Sequence, residues 1–511
     1  MEGAMKKLVP VVVLFALIVA VAVPVYGQAG APNPGASRGN IFIQNIGTAP
    51  ANFVLTFTRG AGVATGPTTF TYNVTNLPVG GAKSLLYTNC WQDSCTSPST
   101  PVPDGWAGAV QISSDQPLAS IANLFWLGIP SAGTYSGFST PATTVYMPNL
   151  LKSTSRRTVV TVQNTAATDA NNVQMIYFDR NGTAVFTGTA NIPAGSMQQF
   201  DLSTIAGVDF SATSNTGSLK ITHPSNALSA VASIHYPPGD RGTAVYGGFV
   251  GGSTTIWFPS QFRRYSGTTP TLYNANIVQN LGTQAANVTV SFLDKNNTNN
   301  QQCTDTIQPG ASQGYNMISQ GTAPAGCWTA IQALGTNWSG TVKVESTNGQ
   351  DLAGVGFYFS TTNVGDVMAF EAIANEAGSA KIYSPAVYRK LSGATSSQQW
   401  STTLVQNLES VTRTLTVKFY NTSGVQVGAV AGYNVTVAGN ASAGLNLNTG
   451  VNLPAQALTD LGTNFSGGMV VEAPAGSQLV GVTNIFYEAP GSPAPAGSRE
   501  QGSAYDVFPA P

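Results

Sequence analysis

Val278-Gln279-Asn280-Leu281-Gly282-Thr283, followed by Ala286-Asn287-Val288-Thr289-Val290-Ser291-Phe292 and then Ile307-Gln308-Pro309-Gly310, is the stretch that decides the fold. Apolar and polar residues alternate from Ala286 to Phe292, and a period of two belongs to a half-buried β-strand. Turn chemistry brackets such runs, as at Asp179-Arg180-Asn181-Gly182 and Asn421-Thr422-Ser423-Gly424. The same landmarks occur four times in one order. The Gln-Asn pair stands at Gln44-Asn45, Gln163-Asn164, Gln279-Asn280 and Gln406-Asn407. A glycine turn follows about 30 residues later, at Gly80, Gly195, Gly310 and Gly439. A small-residue glycine then enters a strand at Gly108, Gly217, Gly340 and Gly467. An aromatic-x-Pro element or near equivalent closes each unit at Pro148, Pro259, Pro385 and Pro509.

Units of this size bury their own core, unlike solenoid repeats of about 20–50 residues. About seven short strands in about 100 residues predict an antiparallel sandwich of immunoglobulin type. The fold expected is therefore all-β: four tandem immunoglobulin-like antiparallel β-sandwich domains after an N-terminal signal peptide. The boundaries read as signal peptide 1–27, linker 28–38, and repeats 39–152, 156–264, 271–390 and 400–511. The units are expected to fold independently, as a string.

Composition narrows the function. The chain has 511 residues, with 21 Lys+Arg against 22 Asp+Glu, and only 8% of residues are charged. Typical soluble domains carry about 25%. No basic excess is present to hold a phosphate backbone, which argues against nucleic acid as a partner. Lys6 and Lys7 precede an apolar run from Leu8 to Tyr26, the pattern of an export signal. Cleavage is expected after Gly27, with Ala29 as the alternative site. An uncleaved anchor is the rival reading, since the run is about long enough to span a bilayer. Pro10 and Pro24 at its ends favour cleavage. No later segment is apolar enough to cross a membrane, so the mature chain is expected to have no membrane span and to be secreted or held at the cell surface.

The four cysteines form local pairs, Cys90/Cys95 and Cys303/Cys327. In an exported chain these read as disulfides, each adding about 2–3 kcal/mol at most. A metal site would need more ligands than His223 and His235 supply. No metal or cofactor is expected.

The opening of each unit resembles the cell-adhesion-related domain of bacterial surface proteins. Asn280-Leu281-Gly282-Thr283, Ala286-Asn287-Val288-Thr289-Val290 and Gly310 carry the likeness, and Asn45-Ile46-Gly47-Thr48 matches too. Asn407-Leu408-Glu409-Ser410 and Asn164-Thr165-Ala166-Ala167 depart from it. The resemblance implies a sandwich fold and a surface role, and no catalytic residue.

No catalytic constellation emerges. Repeats 1, 3 and 4 contain no histidine, both histidines lying in repeat 2, so the repeated feature is not a histidine-based site. The densest acidic patch is Asp351, Asp366, Glu371 and Glu376, which reads as solvated loops, with a calcium site as the alternative. Asp294-Lys295-Asn296-Asn297-Thr298-Asn299 lacks the glycine and distal glutamate of a calcium loop and reads as a hairpin. The best partner-binding candidates are the loops Tyr135-Ser136-Gly137-Phe138 and Tyr246-Gly247-Gly248-Phe249, with Trp91 beside Cys90. Aromatics beside glycines suit sugar stacking or partner docking, and they suit folding back over the domain end equally. The function expected is structural or adhesive, without catalysis. Polysaccharide, cell-surface proteins and copies of the same chain are the expected partners. The rivals are a filament or surface-layer subunit, and a carbohydrate-binding or carbohydrate-degrading protein. Aromatic and acidic side chains meeting in one cleft would favour the last.

Overall fold

The computed structural model describes residues 11–15, 32, 35, 37–85, 105–126, 131–237, 242–266, 269–360, 366–392, 396–487 and 501–510. Unit 1 contains β1 (Val11–Phe15), β2 (Ser37–Asn45), β3 (Ala51–Arg59), β4 (Thr69–Leu77), β5 (Ala82–Leu85), β6 (Gly108–Ser114), β7 (Leu118–Trp126) and β8 (Ser131–Ser136). They form two antiparallel sheets in the orders β1-β6-β3-β4 and β5-β2-β7-β8. Alternation does what it predicts on β3, where Ala51, Phe53, Leu55 and Phe57 are buried between the sheets. Three further units repeat this pairing, and there the first strand also pairs with the β2 counterpart, so that the units form continuous sheets of eight, nine and ten strands rather than the seven expected per unit. Units 3 and 4 add short helices, Ala325–Ala333 and Ala455–Leu461, before the β6 counterpart.

The recurrent asparagine is a corner clamp. Asn45 Nδ2 donates to the carbonyls of Ala49 (2.8 Å) and Leu77 (2.9 Å), and its Oδ1 accepts from Gly47 N–H. Asn164, Asn280 and Asn407 make the same three kinds of bond. Each satisfies backbone groups buried where the strand turns into the corner.

The segments expected to close repeats 1 to 3 instead open the units that follow. Thr144–Ser153 pairs with Thr216–Thr222 and Arg156–Asn164, all in unit 2. Thr255–Ser266 and Lys381–Ser392 do the same in units 3 and 4. The boundaries therefore fall before Thr144, Thr255 and Lys381. Phe508 and Pro509, aligned in sequence with Met147 and Pro148, pair with Tyr383 and Ile382, so Phe508 is the counterpart of Phe249 opposite Tyr146.

The four units are not a string. The strand Ser131–Ser136 packs on its counterpart Thr243–Gly247, that on Asp366–Glu371, that on Gln501–Asp506, and the last returns to Ser131–Ser136. Four edges thus close round a common centre. Approach is tight: a Cβ at Gly133 would run into Val245, and one at Gly502 into Met368. Unit 4 closes on unit 1 through Ile121, Phe42, Tyr388, Ile485 and Tyr505. The recurrent glutamine tracks the same closure. Gln279 Nε2 donates to Ser218 Oγ of unit 2 (2.9 Å), Gln406 Oε1 accepts from Thr341 Oγ1 of unit 3, and Gln44 of unit 1 lies against Gly468 of unit 4. This double packing explains why Leu228–His235 is buried along its whole length, with serine and alanine interleaved among larger apolar residues.

Candidate functional site

Each of the four central strands ends on an aromatic followed by one variable residue: Tyr135-Ser136, Tyr246-Gly247, Phe370-Glu371 and Tyr505-Asp506. Tyr135, Tyr246, Phe370 and Tyr505 are fully buried. Ring closure brings the four variable positions together. Ser136 Oγ donates to the Asp506 carbonyl (3.4 Å), and Gly247 N–H donates to Glu371 Oε1. Glycine at 247 lets the Glu371 carboxylate and the Phe138 ring come close, since a Cβ there would crowd both.

Glu371 and Asp506 share a side-chain hydrogen bond. Two carboxyl groups in such contact cannot both ionise cheaply, so one keeps its proton. Burial and then the Glu371 charge hold Asp506 well above the ordinary carboxylate range, and Asp506 is the donor. Burial also raises Glu371, while the Gly247 N–H and the Asp506 hydrogen bond pull it back toward the ionised form. Asp506 Oδ1 is buried with no hydrogen-bond partner among the described residues. Neither acid has a lysine or arginine partner among the described residues.

This pair lies in the wall of an open cleft of about 400 Å³, together with Phe138, Phe249, Ser139, Thr140 and Gly251. Two of the aromatic residues singled out in sequence, Phe138 and Phe249, therefore meet in one cleft. Their neighbours Tyr135 and Tyr246 are core residues. Trp91, Cys90 and Cys95 lie outside the described residues. Of the acidic patch, Glu371 enters the cleft wall, Glu376 accepts from Ser253 Oγ (2.8 Å), and Asp351 stands beside Gly252. All three gather round the glycine-rich loop of unit 2. Asp366 sits at the start of its strand, opposite Ser360. Asp506 was not singled out by sequence, although its place after a strand-ending aromatic was a signal available for it.

The remaining candidates are structural. Cys303 and Cys327 are joined by a disulfide that ties a strand to the helix Ala325–Ala333. His223 Nδ1 accepts from Asn226 N–H (2.8 Å), with Nε2 3.1 Å from the Asn171 carbonyl. His235 is buried edge-on to Trp126 of unit 1, its Nδ1 2.9 Å from Thr243 Oγ1. Burial, then the Arg157 charge, pushes His235 down to about 3. Among the described residues no three His, Cys, Asp or Glu side chains converge as a metal site. Asp294 caps its own hairpin by accepting from Asn296 N–H (2.8 Å).

No protein-family model and no curated protein matches the chain. Among solved structures, the Thermotoga maritima protein 1070 is similar at 15% identity and TM-score 0.19, over 24% of this chain and 97% of that one. The pilus backbone RrgB of Streptococcus pneumoniae is similar at 8% identity and TM-score 0.12, over 76% of this chain and 86% of that one. Scores this low carry neither fold nor function across. The likeness to the cell-adhesion-related domain stays one of sequence motif.

Proposed function

We propose that this protein is an exported structural and adhesive protein of the cell surface, in which four sandwiches form one rigid ring that presents loops to a partner. The observation that carries this reading is the closure of four edge strands on one another. It makes a platform whose loops hold fixed relative positions. It also covers these four edge strands, which weighs against a filament built on them. Export is supported by the Lys6-Lys7 and Leu8–Tyr26 pattern and by the disulfide. No helix among the described residues is long and apolar enough to cross a membrane.

A second reading, binding of a carbohydrate, is favoured by Phe138, Phe249, Glu371 and Asp506 in one cleft. Binding without turnover fits better than hydrolysis. Glycoside hydrolysis uses carboxyl groups held about 5–9.5 Å apart, whereas Glu371 and Asp506 are hydrogen-bonded to each other. The test has three parts. Protease shaving of intact cells should release the protein, and sedimentation should give a compact particle rather than an extended rod. Polysaccharides should be retained by the purified protein, with Phe138→Ala and Phe249→Ala weakening retention, and no product should form. Shielding of the protein from external protease, or product formation abolished by Glu371→Gln, would defeat the proposal.

A further inference from the structure

In units 2, 3 and 4 the first strand arrives from the preceding unit and pairs with the β6 counterpart in one fixed register. Counting from Gly217, Gly340 and Gly467, the fourth residue faces Val145, Ile256 or Ile382 across the ladder. The second residue faces Met147, Phe258 or Ser384. A proline follows each time, at Pro148, Pro259 and Pro385. Its missing N–H breaks the ladder, and the register shifts there.

The shift leaves backbone groups of the next residue unpaired inside the protein, and each unit has a device for them. Tyr246 Oη accepts from Asn149 N–H (3.2 Å) and donates to the Asn149 carbonyl (2.5 Å). Tyr505 Oη accepts from Ala386 N–H (3.2 Å) and donates to its carbonyl (2.8 Å). Unit 3 has Phe370 at this place, and Asn274 Nδ2 serves the Ser260 carbonyl instead (2.9 Å).

Unit 1 has no preceding unit among the described residues. Its slot beside β6 is filled by β1, in the same register: Val13 opposite Ile112 and Phe15 opposite Val110. These residues belong to the apolar run read as the export signal, and Ala16 stands where the other units have proline. Tyr135, the counterpart of Tyr246 and Tyr505, has its hydroxyl buried with no hydrogen-bond partner among the described residues. Among the described residues the clamp is present without the backbone groups that it holds in units 2 and 4.

We infer that the outer edge of Gly108–Ser114 is an acceptor site for an extended peptide from another polypeptide, of the pattern apolar-x-apolar-Pro-x. Val11–Phe15 holds the place in the precursor and leaves with the signal. The incoming strand adds to the sheet antiparallel, sets its apolar pair opposite Ile112 and Val110, and brings the residue after its proline to the Tyr135 hydroxyl. The inference rests on the export reading, because only removal of residues 1–27 frees the edge.

The test uses the exported protein, its first residue read by N-terminal sequencing, and a synthetic peptide of residues 143–154 as probe. Amide hydrogens of Gly108–Ser114 should exchange fast in the free protein and slow with peptide bound one to one. A peptide with aspartate at the positions of Val145 and Met147 should not bind. Tyr135→Phe should weaken binding about twentyfold, the worth of the two hydrogen bonds that Tyr246 and Tyr505 make at this place. Slow exchange at 108–114 without peptide, or equal binding of the aspartate peptide, would overturn the acceptor site and leave export standing. An exported chain that still carries Val11–Phe15 would overturn both.

Discussion

Replacing Asp506 by Asn tests whether the acid pair at the ring centre carries the one proton assigned to it. Asparagine is the isostere of the protonated acid and donates from Nδ2 to the Glu371 carboxylate as the carboxyl proton does. In the unfolded chain both acids titrate near their ordinary values of about 4. In the fold both are raised, Asp506 the further. The folded state therefore holds more protons, and the pair's contribution to stability falls as pH climbs from about 4 through the folded values. At an effective dielectric of about 20, two full charges about 4 Å apart repel by about 4 kcal/mol, and the burial of the second charge adds to that loss once both are ionised. The variant carries at most one charge, that of Glu371, and escapes that loss. The quantity to measure is the difference in urea midpoint between variant and wild type from pH 4 to pH 9, because groups common to both, His235 included, cancel in it. The difference should be small near pH 4 and grow with pH in favour of Asp506→Asn, by about 4 kcal/mol or more once both acids of the wild type are ionised. A difference that is flat with pH, or that favours the wild type at pH 8, would show that the carboxyl groups do not share a proton across the ring.

Three other outcomes are expected. His235, held down to about 3 against an unfolded value near 6.5, makes the wild type lose stability as pH falls below about 6.5, by about 2 kcal/mol at pH 5; His235→Gln should flatten that acid limb in thermal scans. Removing the Cys303–Cys327 bridge, at a sequence separation of 24, should cost about 3 kcal/mol, read as an earlier urea transition in Cys303→Ser/Cys327→Ser. Tyr246→Phe leaves the N–H and carbonyl of Asn149 buried and unpaired and should cost about 1–3 kcal/mol, whereas Tyr135→Phe, whose hydroxyl has no partner to lose, should cost almost nothing in the precursor.

The sequence was most legible where one residue type does one local job. Asn45, Asn164, Asn280 and Asn407 recur because each clamps its own corner, so the repeat and its sandwich could be read from spacing alone. The glutamine beside each asparagine recurs just as regularly, but Gln279 and Gln406 work across to the neighbouring unit, and a recurrence does not say on which side its partner lies. The boundaries went wrong for a related reason. Val145-Tyr146-Met147-Pro148 has the period of a strand, and period fixes the buried face without fixing which sheet receives it. Whether such a strand ends one unit or begins the next depends on pairing with residues about 75 positions further on, at Leu219 and Ile221.

The candidate site was half legible, and the missing half follows from linking the repeats in one chain. Phe138 and Phe249 were visible as aromatics beside glycines, and Glu371 as part of an acidic patch. What brings them together is a fourfold arrangement in which Ser136, Gly247, Glu371 and Asp506 are one position written four ways. Four identical chains closing in this way would have to place the same residue there four times. Four glutamates would crowd four carboxylates round one centre, and four glycines would offer no polar group at all. A single chain escapes that constraint: Gly247 makes the space, Glu371 fills it and takes the Gly247 N–H, and Asp506 supplies the shared proton. The consequence is one cleft of this chemistry per molecule rather than four, and binding at the ring centre should saturate at one ligand per chain.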